Sequence, residues 1–502
     1  MMEVKKNYDS EFCGNVPLNF VNNVQAYGVL MVLDRKTLEV LQVSENIHVL
    51  FGLEVEQVLG KDFSTLLDPI EGKAAIDKLL RTDINKRISL YLTLKEVRTV
   101  CTVHFKGSML VLELEKSDGA VSDFSVIFQE VKTIVAALET PNTTEEVCQV
   151  AAAEIKKLSG FDKVMIYQFD KDWNGHVIAE KKEADMDSYL GLVFPASDIP
   201  KQARALYFKN PYRLIPDAGY EPVKLNPALN PQSFTYTDLA DCNLRSVAPV
   251  HVEYLKNMKV MSSMSTAIIK DNILWGLIAC HHKTPKMLPY DMRAAFELLS
   301  NYISTQLTAK ERESDLVLSS KLNEILASLY KRTITIPDFT QAIIQGSPNV
   351  LDLLGATGVA VIYKDRLSTY GEVPDPAHIK EIAFWLNLHN HDKVYALDAY
   401  KTEIELPTPQ DTLAGMIAIP ISPLKGEYLL GFRPEIVQTV SWGGNPNEAI
   451  QFEADKKNYH PRHSFEIWKD TVRNTSAPWE PLTIKAAENL RSMILEVISR
   501  NP

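Results

Sequence analysis

FPASDIPKQARALYFKNPYR, Phe194 to Arg213, is the stretch from which the rest of the chain is read. Asp198 lies between a small-residue run and Pro200, which predicts an acidic cap opening a helix rather than a residue on a helix face. Ala203, Leu206 and Tyr207 then form one apolar stripe, while Arg204 and Arg213 bring fixed positive charge. Further along, DCNLRSVAPVHVEYLKNMKVMSSMS (Asp241 to Ser265) adds Arg245, His251, Tyr254, Ser263 and Ser265. LWGLIACHHKTP (Leu274 to Pro285) is a β-rich run containing His281 and His282. Arginines, phenols, hydroxyls and imidazoles converging on an apolar scaffold suit a large, flat, conjugated ligand that carries carboxylates. Taken singly, each residue also reads as an ordinary cap or a satisfied core polar group. Their order and spacing together carry the ligand reading.

Length and composition bound what such a site can belong to. A chain of 502 residues holds about three or four domains. Its 45% hydrophobic and 23% charged residues are those of a soluble globular protein with sizeable cores. A net charge of −11 argues against nucleic acid or an anionic membrane as the main partner. No apolar run reaches the length of a membrane span, and the opening MMEVKKNYDSEF lacks the apolar core of a signal peptide. Cys13, Cys101, Cys148, Cys242 and Cys280 are scattered, odd in number and without a CxxC pair. That pattern fits free thiols in a reducing cytoplasm and weighs against structural zinc.

PASDIPKQARALY, RSVAPVH and LWGLIACHH closely resemble the chromophore-binding GAF domain of phytochromes, and of bacteriophytochromes in particular. The resemblance extends over most of the chain. It implies an α+β architecture in which a PAS domain precedes tandem GAF and GAF-related PHY domains joined by long helices. The N-terminal segment would be knotted through GAF, a rare exception to the rule against threaded chains. The implied bounds are 1–119 for the N-terminal segment and PAS, 120–310 for GAF with the start of the connecting helix, and 311–502 for PHY, with a tongue at about 425–470.

The same resemblance implies a ligand, biliverdin IXα, held as a thioether. Bacteriophytochromes attach it through a cysteine ahead of PAS, which Cys13 in SEFCGNVPL matches. The other phytochrome branch uses a cysteine just before the histidine matching His251, and that position is Val250. By resemblance, the main chain at Asp198, with Ile199 and Pro200 beside it, and a water on His251 accept the pyrrole N–H groups. Arg213, Arg245, Ser263 and Ser265 fall to the propionates, arginine because its planar fork meets a carboxylate bidentately. Tyr167, Phe194, Tyr207 and Tyr254 form the wall around the rotating ring, and His281 bonds that ring's carbonyl. The chain departs from its relatives at Val247 and Ala248, where some carry hydroxyls, and at Tyr27 of VQAYG, where many have histidine.

In chain order, GVLMVLD (Gly28 to Asp34) and EVLQVSENI (Glu39 to Ile47) read as strands, and ISLYLTL, RTVCTVHF and MLVLELE as three more. Short helices punctuated by Gly52 and Gly60 lie between them, a PAS-like α+β pattern. Phe124 to Leu138 has helical spacing, and a capped helix follows from Thr144 to Gly160. The last GAF helix starts near Asp291 and runs past Tyr330. Its seam Leu318, Leu322, Ile325, Leu329 suits either a parallel partner or an underlying domain. GVAVIYKD, GMIAIPIS and EYLLGFRPE are the strands of the PHY-like part, and Ala487, Leu490, Ile494 and Val497 form a terminal heptad seam.

GFRPEIVQTVSWGGNP and HPRHSFEIW match the family's tongue and single out Trp442, Arg462 and Ser464 as its switch residues. Its return half is ambiguous: period 2 puts Phe465 and Ile467 on one face, period 3.6 groups Phe465, Trp468 and Val472. No catalytic signature is read within these residues. The resemblance implies a red/far-red photoreceptor module, cytoplasmic, a homodimer through its long helices, controlling a C-terminal histidine kinase or diguanylate cyclase outside this chain. Two other readings compete: a light-independent GAF-type module for a tetrapyrrole or nucleotide, and an enzyme using Asp198 and His251 as acid and base. The lack of a nucleophile–base pair or metal-ligand cluster weighs against the last.

Overall fold

The computed structural model describes residues 18–81, 87–117, 124–389, 391–404, 412–448, 450–452 and 459–500. Cys13 lies outside them. The first domain carries β1 (Asn23–Val24), β2 (Val29–Asp34), β3 (Val40–Ser44), β4 (Ile88–Leu94), β5 (Val97–Lys106) and β6 (Met109–Lys116). β2 is apolar on both faces and every residue of β3 is buried, as in strands whose two faces are both covered. Val29, Met31 and Leu33 turn into a core with Phe63, Leu92 and Leu112. Leu30 and Val32 face the other way, onto Leu225, Leu239 and Leu244 of the second domain. Gly52 and Gly60 close the short helices in left-handed conformations, as their positions in the sequence predict.

The second domain contains β7 (Lys163–Phe169), β8 (Gly175–Lys182), β9 (Val193–Phe194), β10 (Tyr212–Ile215), β11 (Val223–Asn226), β12 (Ser262–Lys270) and β13 (Ile273–His282). Its main sheet runs β10-β12-β13-β7-β8-β9. The helices Phe124–Glu139 and Thr144–Ser159 bury Ile134, Leu138, Val147 and Ile155 against one face, with Phe296 and Ile303 of the long helix Tyr290–Thr335. The cap of the second helix is Thr143, one residue earlier than its spacing suggests. Its hydroxyl takes Glu146 N–H while Glu146 takes that of Asn142.

β11 does not join its own domain's sheet. It pairs with β3 and with β1, so the first sheet reads β1-β11-β3-β2-β6-β5-β4. Further main-chain bonds lace the N-terminal segment to the second domain: Gln25 N–H to Leu244 (2.7 Å), Leu239 N–H to Asn19 (2.9 Å) and Leu225 N–H to Asn22 (3.0 Å). Two buried carboxylates of β6 add to this joint. Glu113, whose Oε1 lies 2.6 Å from His104 Nε2 of the neighbouring β5, accepts from Leu244 N–H of the second domain, and Arg293, on the long helix, grips Glu115 bidentately with one contact of 3.0 Å.

The chain separates into two compact units. One runs to Thr308 and also takes in Ser441–Trp468; the other comprises Ala309–Val440 and the chain from Lys469 onward. In the second unit β14 (Gly358–Tyr363), β15 (Arg366–Gly371), β16 (Tyr395–Leu397), β17 (Leu413–Ser422) and β18 (Glu427–Pro434) form a sheet ordered β15-β14-β18-β17-β16. Leu322, Ile325 and Leu329 of the long helix are buried here with Ile417 and Leu429, and Leu318 packs at their edge. The heptad seam therefore serves an underlying domain. Ala487, Leu490, Ile494 and Val497 of the terminal helix Pro481–Arg500 enter the same core.

Burying Arg293 and Glu115 together costs little net, whereas removing one leaves the other charge stranded away from water. Glu115→Ala should lower unfolding stability by about 3–5 kcal/mol, while replacing both residues by methionine should cost much less. Urea unfolding midpoints at unchanged slope measure this difference.

Candidate functional site

β7, β12 and β13 lay a floor of alternating side chains, and the helix Pro249–Asn257 and the segment Phe194–Tyr207 stand above it. Between them lies a cavity of about 260 Å³. Met165 and Tyr167 of β7 and Leu277, Ala279 and His281 of β13 point into it, as period 2 requires. His251 and Tyr254 enter from the helix, and Val247 and Met258 from the residues flanking its two ends. Tyr167, Phe194, Asp198, Ile199, Pro200, Tyr207, Arg213, Arg245, Ser263 and Ser265 all line the same space. The structure thus brings together every described residue expected to bind the ligand.

Asp198 departs from its expected role as a helix cap. It ends a 3-10 turn, Ala196–Asp198, and the next helix, Lys201–Leu206, starts at Pro200 without a side-chain cap. Its carboxylate is turned instead to two long-range partners. Tyr254 Oη donates to Oδ2 at 2.7 Å, and Arg462 Nη2 pairs with the same oxygen. The two charged side chains are 5% and 3% exposed. Burial pushes the Asp198 carboxyl up, against the opposing pull of Arg462 and Tyr254. The guanidinium of Arg462 also lies 5.0 Å from the ring centre of Phe465, 5.5 Å from Phe194 and 5.9 Å from Tyr254.

Arg462 belongs to a segment containing β19 (Gln438–Gly443), β20 (Ile450–Phe452), β21 (Tyr459–Pro461) and β22 (Ile467–Val472). Trp442 pairs in parallel with Val193, extending the main sheet, and its indole N–H is buried without a partner among the described residues. Its neighbouring glycines are sterically required. A Cβ on Gly443 would lie 2.7 Å from the Phe194 ring, and Gly444 has φ +94° with Ser464 O 2.4 Å from the place a Cβ would take. Ser464 Oγ accepts from Glu466 N–H at 3.2 Å. The return half is strand, resolving the ambiguity of its period, and Phe465 stacks edge-on to Tyr254 at 5.0 Å.

At the opposite end, Arg213 donates to the carbonyls of Asn243 (2.8 Å) and Arg245. Arg245 donates to Leu18 O at 2.9 Å, and its Nε is buried with no partner among the described residues. Neither guanidinium meets a carboxylate among the described residues. Burial, then the neighbouring Arg213, pull Arg245 down to about 9. Tyr207 Oη and Ser265 Oγ are 2.7 Å apart, so this serine serves the wall as well as the cavity. Burial holds His251 at about 4, with Arg213 adding to it, and His281 at about 3. Both rings are neutral at pH 7, and Nδ1 of His281 is a buried atom with no partner among the described residues. Tyr27 packs near Val24 and Leu244, its hydroxyl buried without a partner among the described residues.

Some of the arrangement had no signal in the motifs. Leu18 reaches the cavity, five residues after Cys13. Glu253 and Asn257, four apart on the helix that carries His251, hold His460 (2.9 Å) and the main chain of Arg462 (3.2 Å). That i, i+4 spacing was visible in the sequence, but its partner across about two hundred residues was not.

Three family models match in succession: PAS fold at residues 13–117, GAF domain at 143–307 and phytochrome region at 322–502. The chain is 38% identical over 497 residues to cyanobacterial phytochrome B of Nostoc sp., covering 98% of this chain and 66% of that protein. It is 32% identical to a bacteriophytochrome of Xanthomonas campestris, covering 98% of this chain and 79% of that one. The chain spans just under two thirds of the length of the first of these relatives. The photosensory core module of Stigmatella aurantiaca phytochrome superposes with a TM-score of 0.84 at 33% identity, covering 98% of this chain and 99% of that one. Apolar floor, buried arginines, neutral imidazoles and the returning arm agree with these likenesses, and the chain belongs to the phytochrome family of light receptors, carrying its PAS–GAF–PHY photosensory core.

Proposed function

We propose that this chain binds biliverdin IXα in the cavity, linked through Cys13, and converts reversibly between red- and far-red-absorbing states to control an output domain beyond these residues. The carrying observation is the pair of guanidiniums, half-buried Arg213 and buried Arg245, neither of which meets a carboxylate among the described residues. Two cations largely withdrawn from water at one end of an apolar cavity call for a ligand with its own carboxylates. The unpartnered Nδ1 of His281 supports a ligand carbonyl or N–H at the other end. Leu18 at the cavity supports Cys13 as the attachment point, since five extended residues reach about 17 Å. Cys101, Cys148, Cys242 and Cys280 are all buried outside the cavity lining.

In this reading Arg213, Arg245, Ser263 and Ser265 hold the propionates. The main chain at Asp198, beside Ile199 and Pro200, and neutral His251 accept the pyrrole N–H groups. Tyr167, Phe194, Tyr207 and Tyr254 bound the space for the terminal ring. When bound, biliverdin supplies a light-driven rotation about a double bond beside that ring. The residues answer by exchanging contacts at Tyr254 and Asp198, and Arg462 is released or held accordingly. Trp442, Ser464 and Arg462 define the tongue switch, in which the strand seen after Phe465 gives way to the helical register that its spacing also permits. Carrying such an element from about 1:99 to 99:1 takes about 5.5 kcal/mol of differential preference. A pair as buried as Asp198–Arg462 supplies a large part of that, because an unpaired partner is left at a cost of about 3–5 kcal/mol.

We assign the segment 1–119 to the N-terminus and PAS, 120–310 to GAF, and 311–502 to PHY with the tongue at about 425–470. No helix among the described residues is long and apolar enough to cross a membrane. A cytoplasmic homodimer joined through its long helices, feeding a kinase or cyclase, completes the proposal.

Chain expressed with biliverdin should turn green and photoconvert, while Cys13→Ala should bind the pigment but release it on a denaturing gel. Pigment retained on that gel would move the attachment to another thiol. Arg462→Ala should still take up biliverdin and absorb red light, because the floor and propionate end are intact. It should lose normal photoconversion yield and dark reversion, and its tongue should be cleaved faster by protease. Wild-type behaviour in all three measurements would make the tongue a passive lid.

A further inference from the structure

Lys163 sits where a lysine has no ordinary reason to be. It opens β7 on the face that two residues later carries Met165 and then Tyr167, both of which line the cavity. In the sheet it lies directly opposite His281 of β13 on one side and Lys182 of β8 on the other. Residues directly opposite in an antiparallel pair share a face, so Lys163 and His281 are neighbours at the cavity end of the sheet. The side chain is 1% exposed. Its ammonium lies 3.5 Å from the ring centre of Tyr189, itself part of the cavity wall. Among the described residues Lys163 makes no ion pair. Glu180, the carboxylate nearest in the sheet, is taken by Ser188 Oγ (2.6 Å) and Tyr189 N–H (2.8 Å).

A salt-bridging role is therefore absent from the described contacts, and what remains is a positive charge beside an imidazole whose Nδ1 has no partner. We propose that Lys163 is a positioning residue for the photochemistry: its ammonium, held over Tyr189 beside His281, sets the local field in which the neutral His281 directs its hydrogen bonding at the terminal ring of the pigment. The inference rests on the proposed binding of biliverdin in this cavity. Physically, a like charge next to an imidazole disfavours the imidazolium, and His281 is pushed down by burial, by Lys163 and by His251, in that order. Lys163 is itself pulled down to about 8 by burial, which Glu180 and Asp187 resist and Lys182 reinforces.

That value sets a testable pH window. Lys163 is charged below about pH 8 and neutral above it. The groups facing it from the packed elements are Glu180 and Lys182 on β8, Asp187 and Tyr189 on the following loop, His281 on β13 and His251 beyond. Tyr189 is held up at about 12, and His251 and His281 stay neutral throughout. Loss of the Lys163 charge should therefore appear as its own step in dark reversion and in the far-red band.

The test compares the biliverdin-loaded wild type with Lys163→Arg and Lys163→Met across pH 6.5 to 9.5, a range spanning the value of about 8. The wild type should show a step near pH 8. Lys163→Arg should remain at the low-pH level throughout, because arginine keeps its charge. Lys163→Met should sit at the high-pH level, its reversion rate at pH 7 altered about threefold or more. A step that persists in Lys163→Arg, or a wild type without one, overturns the role of Lys163. Should Lys163→Met fail to fold, the arginine variant alone decides. A wild type that takes up no biliverdin removes the underlying reading instead, and the two failures are told apart by the red absorbance band before any pH is changed.

Discussion

A carboxylate and a guanidinium, Asp198 and Arg462, meet with 5% and 3% of their side chains exposed, and the roof of the cavity depends on that meeting. Neither group could be withdrawn from water alone, since the desolvation of each ion costs several kcal/mol. The pair forms because the chain returns a strand over the site, bringing together residues 264 positions apart. Three aromatic rings surround the guanidinium, and Tyr254 holds the carboxylate from its other side. Gly443 and Gly444 make the approach sterically feasible, the first by leaving room for Phe194 and the second by accepting a left-handed turn. An interaction with so many supports has two discrete conditions, made or broken, and suits a switch better than a graded contact does.

Electrostatics inside the cavity run opposite to those of the whole molecule. The chain carries −11, yet Arg213 and Arg245 line, and Lys163 and Arg462 stand close to, a space whose lining among the described residues holds a single carboxylate, that of Asp198. Such an interior is unfavourable unless an anion joins it, and the two histidines respond by staying neutral. Neutral imidazoles can both donate and accept, which is what a ligand with N–H and carbonyl groups on its edges requires.

The joint between the first two domains is equally specific. β11 leaves its own domain to pair with β3, and the N-terminal segment is stitched to it by main-chain bonds that tolerate little movement. The same stitching delivers Leu18 to the cavity. Glu113 and Glu115 share one face of β6, where the first accepts from Leu244 N–H and the second pairs with Arg293, both across the joint. Placement of the chain's beginning and rigidity of the cavity floor are thus one problem with one solution.

Much of this was legible in the residues. Two-sided apolar runs gave the strands of the first domain, Gly52, Gly60 and Gly160 marked helix ends, and the motif order from Phe194 to His282 brought out the cavity lining almost completely. These are local or period-based signals, and local backbone preference and burial pattern express them directly. What the sequence left open were choices between physically similar alternatives. The Leu322, Ile325, Leu329 seam suits a partner helix as well as an underlying core, and only the packed β17 and β18 strands show that the core wins. The segment after Phe465 fits two periods, and strand pairing selects one. Asp198 has every local mark of a helix cap, yet its carboxylate faces Arg462, because a buried charge is governed by its nearest opposite charge in space and no spacing along the chain reports that distance.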